Sequence, residues 1–97
     1  MNEQRVKGML GLAVRARQAC FGEDTCRRLA ESGRCGMILL DGEASENSRR
    51  KYEALCGRNG IPLVILPVGM IAEATGRTNM AAALMKGAFT EQMKACL

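Results

Sequence analysis

Gly22, Glu23, Asp24 and Thr25 open a segment that also carries Arg27, Arg28 and, after a Ser32-Gly33 turn, Arg34. Glycine at position 22 is free to take a backbone angle that a side chain would resist. Glu23 and Asp24 then place negative charge at a helix start, where the dipole favours it. Gly33 stops the helix, and Met37-Ile38-Leu39-Leu40 is too apolar for a strand with one wet face. The spacing therefore predicts a helix N-terminus beside a strand edge, with Arg27 and Arg28 within one or two turns of the helix start. Guanidinium groups make planar, two-pronged hydrogen bonds to phosphate. An RNA backbone is the ligand that this chemistry suits.

Catalytic chemistry finds no support. The chain has no histidine, so the commonest general base is missing. Ser32, Ser45 and Ser48 fall at caps or turns, where serine is expected for structural reasons, and no cysteine has an identifiable activating partner. Cys20, Cys26, Cys35, Cys56 and Cys96 contain no C-x-x-C pair. Zinc sites need closely spaced ligands, so we expect no metal and no cofactor, and free thiols serving as small core hydrophobes. Gly57-Arg58-Asn59-Gly60 has the G-x-x-G form of a nucleotide-clamping loop, but that loop must join two helices. Here Ile61-Pro62 leads into a strand, so a glycine helix stop is the better reading. Arg49-Arg50-Lys51 reads as a solvated helix face.

Composition agrees with an RNA ligand. The net charge is +4, and ten of the fourteen basic residues are arginine. Aromatics are only 3%, namely Phe21, Tyr52 and Phe89, which argues against base stacking on a sheet. Hydrophobic residues make up 47%, enough for an aliphatic core in one domain spanning residues 1–97. Residues 1–5 lack a signal-peptide pattern, and the apolar stretch Ile61 to Ala72 is too short to cross a bilayer. A cytoplasmic protein without membrane contact is expected.

The elements that would position these residues follow from periodicity. Val6, Met9, Leu10, Ala13 and Val14 fall at helical spacing over about residues 3–16. Ala19-Cys20-Phe21 is extended, and a helix runs from Glu23 to Ser32. Met37 to Leu40 is a strand. Ser45 or Asn47 caps a helix with Tyr52, Leu55 and Cys56 on its buried face and Gly60 as its stop. Leu63 to Leu66 is a second strand, Met70 to Thr75 a short helix ended by Gly76, and Asn79 to Leu84 an edge strand. A closing helix begins at Thr90. Strands alternating with helices predict a compact three-layer α/β/α sandwich with a mixed, mostly parallel sheet of about four strands.

Leu10-Gly11-Leu12-Ala13-Val14-Arg15-Ala16, Gly22-Glu23-Asp24, Ser32-Gly33, Asp41 and Ala44-Ser45-Glu46-Asn47 follow one another in an order that resembles a known family. Leu55-Cys56, Ile61-Pro62 and Ile71-Ala72-Glu73-Ala74-Thr75-Gly76 continue it. The chain looks like the YlxQ-type bacterial branch of the kink-turn-binding ribosomal proteins. That resemblance implies the same α/β/α sandwich and a protein that binds structured RNA, ribosomal or kink-turn-like, with ribosomal proteins as further partners. Members that bind kink-turn RNA carry Gly-x-Asn-Glu-x-x-Lys at the second helix, where Asn and Glu contact sheared G·A pairs. Gly22 matches, while Asp24, Thr25 and Arg28 stand at the Asn, Glu and Lys positions. The family's Ala-Gly-Lys is replaced by Ala16-Arg17-Gln18, and its further contact loop falls around Val68 to Ile71. By this resemblance Arg28 anchors phosphate, Asp24 and Thr25 face bases, and Gly22 lets the backbone approach. Arg15, Arg17, Arg27 and Arg34 add electrostatic contacts. The alternative is a protein-interaction module on the same fold, because an ionised Asp24 cannot donate as an amide does.

Overall fold

A computed structural model describes residues 1–97. Five helices and four strands follow in the order α1 (Glu3–Arg15), β1 (Ala19–Phe21), α2 (Glu23–Glu31), β2 (Cys35–Asp41), α3 (Glu46–Asn59), β3 (Leu63–Leu66), α4 (Met70–Thr75), β4 (Ala81–Met85) and α5 (Ala88–Cys96). Local chemistry sets most of these bounds. The Asn2 side chain accepts from the Arg5 N–H to cap α1, and the Ser45 hydroxyl accepts from the Ser48 N–H at 3.1 Å to cap α3. Gly60 closes α3 in the left-handed region at φ 64°.

The sheet order is β1-β4-β2-β3. The α/β/α sandwich and the mixed four-stranded sheet are as expected, but two details are corrected. β4 is a central strand, antiparallel to both β1 and β2, and not an edge. Only β2 and β3 pair in parallel, so the sheet is not mostly parallel by pairing. The helix–strand alternation does hold for β1, β2 and β3, which all run the same way through the α2 and α3 crossovers. After β3, however, α4 is only six residues, about 9 Å long, and cannot carry the chain back along the sheet. β4 therefore starts at the end where β3 stops and inserts in reverse. Its uncharged Ala81-Ala82-Ala83-Leu84 run is buried throughout, as befits a strand with both faces covered.

Two cores flank the sheet. Met37 and Leu39 of β2 and Ala82 and Leu84 of β4 face Val6, Leu10 and Ala13 of α1, Met70 and Ile71 of α4, and Met93 of α5. Ile38, Leu40, Ala81 and Ala83 face Cys26, Leu29 and Ala30 of α2 and Tyr52, Leu55 and Cys56 of α3. A register irregularity between Cys35 and Met37 puts the Cys35 side chain on the α2–α3 side although Met37 points to the other. No helix is long and apolar enough to cross a membrane.

All five cysteines are free; four are buried and Cys20 is half-buried. Burial pushes the Cys26 thiol up to about 12 and the Cys56 thiol up to about 11, with neighbouring thiols adding to the desolvation. The reactive species is the thiolate. A maleimide reagent at pH 8 is therefore expected to label Cys20 alone in the native protein and all five residues after denaturation. Labelling of Cys26 or Cys56 at a rate matching Cys20 would contradict the closed α2–α3 core.

Candidate nucleic-acid interface

The ends of β1, β2 and β3 and the start of β4 share one end of the sheet, as the pairings of Phe21 with Ala82, Leu40 with Ala81 and Asp41 with Leu66 require. Four connections meet there: the Gly22 turn into α2, the Gly42–Ser45 loop, the Pro67–Gly69 loop, and the Gly76–Met80 loop. Gly22 has φ 91° and ψ 145°, a conformation that a side chain would strain, and no side chain caps the helix. The first helical bond runs from the Cys26 N–H to the Gly22 carbonyl at 3.0 Å. Amides of the preceding turn are thus left facing outward.

Asp24 and Thr25 lie exposed in the first turn of α2, and Arg28 one turn on. Asp24 pairs with Arg27 at 3.1 Å, and Arg27 also reaches Glu31 at 3.7 Å. Glu23 pairs with Lys51 of α3 at 3.5 Å. Arg28 is exposed and forms no ion pair with any carboxylate, so its guanidinium is free for a ligand, whereas that of Arg27 is engaged.

Two further residues join this end through the fold, and the sequence marks neither as an RNA-contact residue. The Arg77 guanidinium lies 5.1 Å from the centre of the Phe21 ring, a cation–π contact that holds it beside the entry to Gly22. Asp41 is 4% exposed, and its carboxylate accepts from the Glu43 N–H at 2.8 Å and the Gly69 N–H at 2.9 Å. It ties the loop after β2 to the loop after β3. Gly42 closes the same junction, since a Cβ there would meet the Leu66 carbonyl at 3.0 Å. The Val68 to Ile71 segment divides: Val68 is 64% exposed, while Met70 and Ile71 are core. Val68 and Met80 together give this end an apolar component beside its arginines.

The remaining sequence candidates lie elsewhere. Arg15 lines a groove between α1 and α4 with Lys7, Glu73 and Thr75. Arg17 and Arg34 sit at the opposite end of the sheet, where β1 and β2 begin. β2 alone separates Arg34 from Gly42 by seven residues, about 23 Å. The eight candidates are therefore not one cluster: Gly22, Asp24, Thr25, Arg27 and Arg28 belong together, and Arg15, Arg17 and Arg34 do not join them.

Arg17 is the one non-glycine residue with positive φ, at 58°. It follows α1, where the Gln18 N–H donates to the Ala13 carbonyl at 2.8 Å and the Arg17 N–H to the Val14 carbonyl at 3.1 Å. This is a Schellman helix stop with arginine where glycine is usual. The left-handed backbone costs an L-residue about 1–2 kcal/mol, of which glycine's freer unfolded chain would offset roughly half. Arg17→Gly is expected to stabilise the fold by about 0.5–1 kcal/mol, read as a Tm higher by about 2–8 °C. A fall in Tm would contradict the backbone assigned to this turn.

A family model described as the ribosomal protein L7Ae/L30e/S12e/Gadd45 family matches residues 4–94. No curated protein sequence matches the chain. Among solved structures, a protein of unknown function from Bacillus halodurans superposes with a TM-score of 0.89 at 24% identity, covering 95% of each chain. A 15.5kD RNA binding protein from Giardia lamblia superposes with a TM-score of 0.73 at 10% identity, covering 97% of this chain and 88% of that one. At such identities these two similarities show the shared fold.

Proposed function

The chain belongs to the ribosomal protein L7Ae/L30e/S12e/Gadd45 family, and on that footing we propose that it is a non-catalytic protein that binds structured RNA of the kink-turn type. In this reading residues 1–97 act as one RNA-binding domain of the YlxQ-type bacterial branch, cytoplasmic and associated with ribosomes. The observation that carries the proposal is the placement of an unpaired Arg28 on α2, within two turns of the uncapped Gly22 helix start, with Arg77 at the same end of the sheet. Arg28 anchors phosphate, Gly22 allows close approach, and Asp24 and Thr25 face the bases. The giardial neighbour named as an RNA binding protein supports the same ligand class.

A second reading has its own support. Val68 and Met80 expose apolar surface at the same end, and Asp24 and Thr25 replace the family's Asn and Glu. A protein-interaction module on this fold would use those features instead. Crosslinking the protein to RNA in living cells, followed by sequencing, separates the two. Enrichment of structured ribosomal or kink-turn segments is the expected result. Recovery of no RNA above background would favour the protein partner.

A further inference from the structure

We propose that the end of the sheet opposite Gly22 carries a second RNA-backbone surface, built from Arg17, Arg34 and Lys86, so that one chain holds two separate RNA segments. The choice of ligand rests on the RNA-binding reading above, but the surface is a different one. Backbone hydrogen bonds fix its geometry. The Met85 N–H donates to the Gln18 carbonyl at 3.0 Å, and the Lys86 N–H donates to the Arg34 carbonyl at 2.8 Å. The residues entering β1, leaving β4 and entering β2 therefore stand side by side. Neighbouring strands are about 4.8 Å apart, so the backbone positions that carry the three cations span roughly 10 Å across the sheet end.

Nothing neutralises that row. Arg17, Arg34 and Lys86 are all exposed, and none takes part in the ion pairs of the molecule. Glu31, three residues before Arg34, is held by Arg27 at 3.7 Å, and Glu91 is held by Lys94 at 3.2 Å. Beside the row, a groove of about 360 Å³ is lined by Lys86, by the Lys94–Glu91 pair, and by Gly36, Gly60 and Gly87, where glycine leaves the backbone open to approach; Lys86 is its one unpaired cation. Arg17 adds a distinct indication. It keeps a left-handed backbone that glycine would hold without strain, and strain retained at a charged position is characteristic of a binding surface.

Phosphate fits better than an acidic protein. A protein interface needs an apolar centre; the exposed Ile65, Val68 and Met80 lie toward the other end, and near Arg17 the α1 residue Leu12 is a single exposed apolar side chain rather than a patch. Cations at regular strand spacing suit successive charges along one nucleic-acid strand.

The test uses a fluorescent 12-nucleotide oligouridylate, which has no kink-turn, titrated at several salt concentrations. The proteins are wild type, the triple variant Arg17→Gly/Arg34→Gln/Lys86→Gln, and Arg28→Ala. Each lost contact to a single strand flattens the log–log salt slope by about 0.7. The triple variant is expected to lose at least tenfold in affinity at low salt and to flatten the slope by about 2. Arg28→Ala, which removes a single contact at the other end, should flatten the slope by only about 0.7 and lose less affinity than the triple variant. Melting curves accompany both variants, and the glycine at position 17 removes strain, so a loss is not traced to unfolding. Unchanged oligouridylate binding by the triple variant would overturn the second surface, as would equal binding of a length-matched oligoglutamate, or no binding by wild type. Kink-turn RNA titrated in parallel against Arg28→Ala reports on the Gly22 end separately, so either surface can fail while the other stands.

Discussion

Asp24→Asn combined with Thr25→Glu is expected to raise affinity for an RNA with tandem sheared G·A pairs by about a hundredfold. Both side chains are exposed in the first turn of α2, so the exchange leaves the core untouched. Replacing Asp24 breaks its 3.1 Å pair with Arg27 and presents an amide that both donates and accepts. Glutamate at position 25 reaches further than threonine toward guanine donors. Good base contacts are worth about 1–3 kcal/mol each, and two of them at the lower half of that range give the stated factor. Net charge is unchanged, because one carboxylate is removed and one is added. The gain should be absent on a duplex of equal length. Equal gains on both RNAs would indicate a charge effect without base recognition, and no gain on either would mean that the helix start is not presented to the G·A step.

The second large effect concerns Asp41. Its buried carboxylate is the acceptor for two loop amides, Glu43 and Gly69, at 2.8 and 2.9 Å. Hydrogen bonds to charged groups contribute about 1.5–3 kcal/mol each. Asp41→Ala is therefore expected to cost at least about 3 kcal/mol, with a Tm lower by about 12–24 °C. Asp41→Asn should recover only part of the loss, since its amide offers one accepting oxygen for two N–H donors. RNA affinity should fall in both variants, because the loops carrying Gly42 and Val68 are no longer fastened together. A Tm within 3 °C of wild type for Asp41→Ala would show that the loops are held by other contacts.

Local elements were legible in the sequence wherever backbone chemistry punctuates them. Leu63–Leu66 lies between Pro62 and Pro67, Met70–Thr75 lies between Gly69 and Gly76, and both match to the residue. The Ser45 cap and the Gly60 stop follow from the same kind of signal. Strand neighbours were less legible, because periodicity reports burial and not pairing. An alanine-rich strand looks weak enough for an edge, yet its lack of charge and two buried faces are what a central position demands. The arginines show the same limit. Arg17 and Arg34 flank the Gly22 helix in sequence, but three residues of β1 and nine of α2 carry them to the far end of the sheet. Arg77, fifty-five positions after Gly22, arrives beside it only through the Phe21–Ala82 pairing and the Phe21 ring. Asp41 is one residue of the family pattern with no assigned task until burial and two amide donors reveal its fastening role.

The account turns on phosphate-led binding at the Gly22 end, and the salt dependence of affinity for a short kink-turn RNA tests it most directly. With three to five cation–phosphate contacts, log affinity should fall with log salt at a slope of roughly −2 to −4. Arg28→Ala should make that slope shallower by about 1 and weaken binding on all RNA sequences alike, with Tm unchanged. A flat response in the wild-type protein, or an Arg28→Ala variant that keeps the wild-type slope, would contradict the assignment of this end to RNA.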